Sequence, residues 1–205
     1  EMGYTVDFHG QKGHYGVAML SKMPAAAITR GYPSDNDEAQ RRMIHGEYSI
    51  NGQTIHVING YFPQGEGRAH PTKFPAKEKF YADLTAYLGN TFSAKDLVIV
   101  MGDMNVAPAA IDVGIKPENA KRWLKTGKSA FLPEEREWLA TLQGWGLTDS
   151  FRSMNSEDDR SYSWFDYRSR GFEQEPDEEQ IYMEWGGLHT PFNDSLERLR
   201  QRDIT

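Results

Sequence analysis

The sequence predicts a mixed α/β protein, and three observations carry that reading. Two strand-like runs, 43–49 and 54–61, are joined by Asn51-Gly52, a dipeptide that suits a tight hairpin turn. The continuous apolar run Leu97-Val98-Ile99-Val100-Met101 has strand length, and it is expected to be buried on both faces. Two further stretches read as helices. In 76–88 the residues Phe80, Leu84, Tyr87 and Leu88 fall at helical spacing, and 133–145 begins with Pro133 and three acids, Glu134, Glu135 and Glu137, which favour a helix start.

The remaining elements follow in chain order. Residues 4–9 alternate like a strand, and Gly10, Gly13 and Gly16 mark a turn. Residues 17–20 read as a short buried strand, and 33–40 as a polar loop. Residues 62–75 are rich in Gly and Pro and are expected to be irregular, as functional loops in compact domains often are. Residues 117–124 suggest a short helix with Pro117 in its first turn. Gly144 and Gly146 bracket the end of the helix that starts at Pro133. Residues 161–167 are aromatic and strand-like, 173–180 are strongly acidic, and 194–202 suggest a short charged helix.

Composition narrows the function. The 205 residues can bury one real core. A hydrophobic fraction of 38% and a mean hydropathy of -0.70 suit a soluble protein. No apolar run approaches the roughly 20 residues of a membrane helix, so no membrane partner is expected. Glu1-Met2-Gly3-Tyr4 has no basic region and no apolar stretch after it, so no signal peptide is expected. Cysteine is absent, which excludes disulfides and thiolate sites within these residues and agrees with a cytoplasmic location. Any metal would sit on oxygen or imidazole ligands, and hard oxygen sites favour magnesium, manganese or calcium. A net charge of -7 argues against a generic DNA-coating protein. It leaves room for a local basic face. Arg41-Arg42, Lys121-Arg122 with Lys125 and Lys128, and Arg168 with Arg170 are the clusters, and solvated surface charge competes with phosphate contact for each.

Candidate chemistry gathers just past the apolar run. Asp103 and Asn105 follow Gly102 at its end, where buried strands present polar groups to a crevice. Asp103 suits metal binding, water orientation or proton exchange. Asn105 suits donation to a phosphate oxygen without added charge. An ordinary turn competes with this reading, because Gly-Asp and Asn are common turn formers. Tyr61 ends a predicted strand, and its phenol suits a phosphate oxygen, although a rim tyrosine is the commoner case. Gln64 suits a nucleic-acid backbone or support of its own loop. Trp164 and Phe165 beside Tyr167 and Arg168 form an aromatic wall next to positive charge, which fits a base or sugar pocket or plain core packing. His9, His14, His45, His56, His70 and His189 show no zinc-like pair spacing. No phosphate-binding glycine loop or serine nucleophile elbow is present.

Several segments in register resemble the bacterial exonuclease III family. They are His9-Gly10-Gln11-Lys12-Gly13-His14-Tyr15-Gly16-Val17-Ala18, Asn59-Gly60-Tyr61-Phe62-Pro63-Gln64-Gly65-Glu66, and Met101-Gly102-Asp103-Met104-Asn105. The run Lys121-Arg122-Trp123-Leu124-Lys125-Thr126-Gly127-Lys128, the stretch from Phe131 to Trp138, and Ser163-Trp164-Phe165-Asp166-Tyr167-Arg168-Ser169 complete the set.

The resemblance implies a four-layer α/β sandwich, with two mixed β-sheets packed face to face and helices outside. It implies cleavage of DNA 5′ to abasic sites, with 3′ to 5′ exonuclease, 3′-phosphatase and 3′-repair diesterase activity, and magnesium or manganese as cofactor. The implied partner is double-stranded DNA carrying abasic sites or 3′ ends, and the implied state is a monomer. Residue by residue, it implies that Tyr61, Asp103 and Asn105 are catalytic and that Asp103 and Asn105 lie at the metal. It implies that Arg42, Gln64, Lys121, Trp164, Phe165 and Arg168 face DNA.

Departures from the family are equally specific. The family's metal-binding glutamate, which lies upstream of the matched region, and its closing Ser-Asp-His motif have no counterpart in this sequence. His189 is followed by Thr190-Pro191 and lacks a preceding Asp, so the catalytic histidine is not carried over to it. Residues 1–172 are therefore expected to form the central part of a sandwich incomplete at both ends, with exposed sheet edges. Residues 173–205 are expected to be a divergent, poorly ordered acidic tail. The chain alone is expected to be a weak or inactive nuclease. A non-catalytic DNA-binding remnant and a phosphoesterase of small substrates are the alternative readings.

Overall fold

The turn at Asn51-Gly52 organises the main sheet. Both residues take positive φ, 52° and 80°, as a type I′ hairpin requires. They join β4 (Met43–Ile50) to β5 (Gln53–Tyr61) in antiparallel register from Ile50↔Gln53 to Met43↔Gly60. The computed structural model describes residues 2–93 and 95–155, and the backbone of 164–165, 182–183 and 188–189.

Before the hairpin come β1 (Thr5–Gly10), β2 (Gly16–Ser21) and β3 (Ala27–Arg30); after it come α1 (Lys73–Thr91) and β6 (Leu97–Asp103). Then follow α2 (Pro117–Thr126), α3 (Pro133–Gly144), β7 (Thr148–Asp149) and α4 (Ser150–Met154). The backbone pairs β8 (Trp164–Phe165), β9 (Tyr182–Met183) and β10 (Leu188–His189) complete the described elements. The six-stranded sheet runs β3-β4-β5-β6-β10-β7, β1 pairs with β2, and β8 pairs with β9. Only β5 and β6 are parallel; the chain joins them through α1, the crossover a parallel pair needs. Leu188 and His189 pair with β6 and β7 together, so the edge of β6 is covered over those two residues. The rest of the acidic tail expected over 173–205, and the helix expected over 194–202, lie outside the described residues.

One face of the sheet carries the core. Met43, Ile58, Val98 and Val100 meet Phe80, Tyr81, Leu84 and Leu88 of α1 and Leu139 and Leu142 of α3. These side chains recur every second residue on the strands and every third or fourth on the helices, as the two periodicities demand. α1 starts three residues earlier than its apolar spacing predicts. Pro75 is tolerated in its first turn, where the missing N–H has no helical partner, and the backbone N–H groups of Thr72 and Lys73 donate to Nδ1 of His70.

The opposite face is more open than the sequence predicts. Val98 and Val100 are fully buried, but Leu97 and Ile99 are half-buried and Met101 is 46% exposed. Val17 is buried on β2 while Leu20 is 61% exposed. The cause lies in the topology. β2 reaches over this face, with Asn59 Nδ2 donating to Ala18 O at 3.0 Å, yet it leaves a cavity of about 1190 Å³ over Val57, Ile99 and Met101. An unbroken apolar run signals burial and does not tell how much of it each face receives.

At the far end of the hairpin, His45 is buried against Tyr87 and Phe92. Burial, and then the adjoining His56, lower its pKa from 6.5 to about 4, with Glu47 opposing. The unfolded chain takes up this proton first. The stabilisation is thus present above about pH 6.5 and lost as pH falls toward 4. Thermal melts between pH 7 and 4.5 should fall more steeply for the wild type than for His45→Asn; parallel slopes would show that His45 is not the source.

Candidate active site

The parallel register of β5 with β6 sets Tyr61 directly beside Asp103 at the strand ends. That contact needs the backbones to close in: a side chain at Gly102, which has φ of 134°, would meet the Gly60 carbonyl oxygen at 1.9 Å. No residue other than glycine fits there. The chain then turns back through Asn105, with φ of 54°, a left-handed conformation that Asn accepts more readily than most residues.

Successive carbonyls past the end of β6 are tied down one by one. Phe62 N donates to Asp103 O at 3.0 Å. Tyr81 Oη donates to Met104 O at 2.8 Å. Lys77 Nζ donates to Asn105 O at 2.7 Å. Asn105 N also donates to Asp103 Oδ1 at 3.3 Å, and Asn105 Nδ2 donates to Phe62 O at 3.0 Å. The segment is therefore a turn of the Asp–Asn kind and a fixed polar site at once; the two sequence readings of it are compatible.

Asp103 is half-buried. Burial raises its pKa above the usual carboxylate range, opposed by hydrogen bonds from Asn105 and by the charges of Lys77 and Arg42. A carboxylate so placed is suited to proton exchange nearer neutral pH than an exposed one. Tyr61 is 38% exposed and lines two hollows. One is the large cavity, which Asp103 also lines. The other is a cleft of about 260 Å³ shared with Tyr15, Arg42 and Gln64.

Arg42 serves the site from within. Its guanidinium lies 3.9 Å from the Tyr15 ring centroid and 4.6 Å from that of Tyr61. It donates to Tyr61 O at 2.9 Å and to Gln40 Oε1 at 2.6 Å. Burial lowers its pKa, and the two tyrosines oppose this. Such cation–π stacking holds both rings in place. Gln64 is exposed on the cleft wall, and its Oε1 accepts from Glu66 N at 2.7 Å.

The other predicted residues are not brought into this cluster. Lys121 lies on the exposed side of α2. The backbone of Trp164 and Phe165 forms β8, paired with β9, and Arg168 lies outside the described residues. Lys77, which the sequence did not single out, and Glu135, which it marked only as a helix-start acid, support the site. Their Nζ and Oε1 atoms are 2.6 Å apart, and both side chains are fully buried. A signal was present: Lys77 lies three residues before Phe80 and seven before Leu84, on the apolar stripe of its helix.

The donor set can be tested against a metal. Asp103 and Asn105 offer one carboxylate and one carboxamide. Among the described residues, Asp103 belongs to no group of three imidazole or carboxylate side chains. Magnesium is commonly held by one or two carboxylates, with waters and substrate phosphates filling the remaining positions, so the residues present fit such an ion.

Comparison with known proteins identifies the family. The sequence profile of the Endonuclease/Exonuclease/phosphatase family matches residues 2–175. The chain belongs to the endonuclease/exonuclease/phosphatase family. It is 55% identical over 172 residues to exodeoxyribonuclease III of Haemophilus influenzae, covering 84% of this chain and 64% of that protein. Among solved structures, an AP endonuclease from Archaeoglobus fulgidus matches with a TM-score of 0.76 at 30% identity, over 93% of this chain and 68% of that one. The 3′ phosphatase NExo from Neisseria, bound to a product DNA hairpin, matches with a TM-score of 0.76 at 31% identity over the same shares. The α/β sandwich of sheets and flanking helices expected from the sequence is the fold of this family member. The chain spans just under two thirds of the length of the Haemophilus relative.

Lys77→Met would strand the Glu135 carboxylate in the core, and the loss should be about 3–5 kcal/mol by denaturant unfolding. Adding Glu135→Gln should restore part of it. A loss below about 1 kcal/mol would show that the pair does not carry this corner of the fold.

Proposed function

We propose that this chain is the central part of a DNA-repair nuclease of the exodeoxyribonuclease III type. It hydrolyses the phosphodiester 5′ to abasic sites and removes nucleotides 3′ to 5′ from duplex DNA. The observation that carries the proposal is the β5–β6 register, which sets Tyr61 and Asp103 side by side over the turn that fixes Asn105. Support comes from the relative of 55% identity and from the likeness to a DNA-bound NExo.

Phosphodiester hydrolysis builds negative charge on the non-bridging and leaving oxygens. Magnesium or manganese, when bound at Asp103, supplies positive charge to offset it. The protein's own groups perform the rest. The Tyr61 phenol donates to a phosphate oxygen from the cleft rim. The Asp103 carboxylate orients the attacking water or returns its proton to the leaving oxygen. Asn105, pinned by its amide to Phe62 O, bounds the phosphate position without adding repulsive charge. Gln64 faces the DNA backbone from the loop beside it. Trp164, Phe165 and Arg168 are assigned to the pocket for a sugar lacking its base, and Lys121 to a more distant phosphate.

The test is incision of a labelled abasic duplex under single-turnover conditions with magnesium. Asp103→Asn should slow incision by roughly 10²–10³-fold, the scale for loss of one transition-state contact. Incision by this chain alone is expected to be weak; incision measurable in the wild type and equal in Asp103→Asn, or faster turnover of a soluble phosphomonoester than of DNA, would overturn the assignment.

A further inference from the structure

Away from the active site, the β4–β5 hairpin gathers a second set of ligand-type side chains. His45 and Glu47 lie two residues apart on β4 and so share a face. His56 is the cross-strand partner of Glu47 on β5. The ligand atoms of all three lie within 4.8 Å of one another. His45 Nε2 and His56 Nδ1 are 3.1 Å apart. Two nitrogens bound to one zinc ion at about 2.0–2.1 Å in tetrahedral geometry lie about 3.3 Å apart, so little movement separates the present pair from a shared ion.

The surroundings suit such an ion. His45 Nδ1 is 3.0 Å from Tyr87 Oη, the outer hydrogen bond that orients a metal-bound imidazole and leaves its other nitrogen free to ligate. Phe92 packs on both rings, with centroids 5.4 and 4.7 Å away, and closes the apolar side. His56 and Glu47 are only half-buried, so solvent reaches the cluster. Two imidazoles and one carboxylate are a borderline donor set that suits zinc-class ions, unlike the all-oxygen set at Asp103. The two places are well apart: His56 precedes Tyr61 by five residues of β5, about 17 Å at strand rise, and on the opposite face.

We propose that His45, Glu47 and His56 form a second metal site, for a zinc-class divalent ion, which ties β4 to β5 beside the end of α1. The site is independent of the nuclease reading and rests on none of its residues.

The test is competition for Zn²⁺ between the full chain and a chromophoric chelator, paired with thermal shift. Wild type should bind one more equivalent than His56→Asn, and Asp103→Asn, which lacks the carboxylate of the first site, one more than the Asp103→Asn/His56→Asn double variant. Zn²⁺ should raise the melting temperature of Asp103→Asn and leave that of the double variant unchanged. Glu47→Gln should weaken binding at least tenfold. Equal stoichiometry in wild type and His56→Asn would overturn the proposal. Should His56→Asn fail to fold, X-ray absorption of the zinc-loaded wild type decides. Two imidazole ligands support the site, and none or one overturns it.

Discussion

Lys77 has its ammonium sealed in the interior, and most of the active-site corner is hung on it. Its three N–H groups serve Asn105 O, Ser129 Oγ and Glu135, with Gln64 O as a longer, shared contact at 3.4 Å. Glu135 accepts in turn from the backbone N–H groups of Ala130 and Leu132, each at 2.8 Å. The second of these is the reach-back of a carboxylate at the third helical position to the N-cap, one half of a capping box. Four chain segments thus meet at one ion pair: α1, the loop after β5, the turn after β6 and the start of α3. Burial lowers the Lys77 pKa, and Glu135 opposes this. A pair in that position is costly to desolvate and costlier to break. What it contributes is position, since the carbonyls of Gln64 and Asn105 are held in place while the Gln64 side chain lines the cleft.

The same logic explains the layering around Tyr61. Tyrosine at a strand end is free to swing. Here Arg42 lies between the Tyr15 and Tyr61 rings and holds the Tyr61 carbonyl as well. A residue expected to face phosphate is largely engaged in setting the angle of another one. Its charge still bears on Asp103, so the guanidinium acts on the site at short range while remaining buried.

How much of this was legible depended on the distance over which each feature is encoded. Asn51-Gly52 announced the hairpin because turn geometry is local. The strand ending at Gly102 placed Asp103 and Asn105 at a crevice because strands end where polarity begins. The resemblance then gave those residues a chemistry that spacing alone left open. Pairings across the sheet were not legible. His45 and His56 show no ligand spacing in sequence, and they meet only because the hairpin register sets Glu47 opposite His56. Lys77 and Glu135 are 58 residues apart, and nothing local ties them. The four-residue strand β3 escaped notice because it is too short to show a period.

Charge poses the last problem, because under the proposed function a chain with net charge -7 would have to approach a polyanion. The cationic side chains around the cleft do little to help at long range. Arg68 is bidentate to Glu134, Lys73 is paired with Glu66, and Lys79 with Asp83. Paired surface charges cancel within a Debye length of about 8–10 Å, so no broad positive field is built from them. Recognition of DNA under the proposed function would then be short-ranged. It would rest on neutral donors such as Tyr61, on the buried Arg42 acting through little solvent, and on the divalent charge the Asp103 carboxylate can hold. Under the proposed function, an acidic protein with such a site would bind phosphate where the ion is and be poorly attracted elsewhere, which would favour search for a lesion over coating of intact DNA.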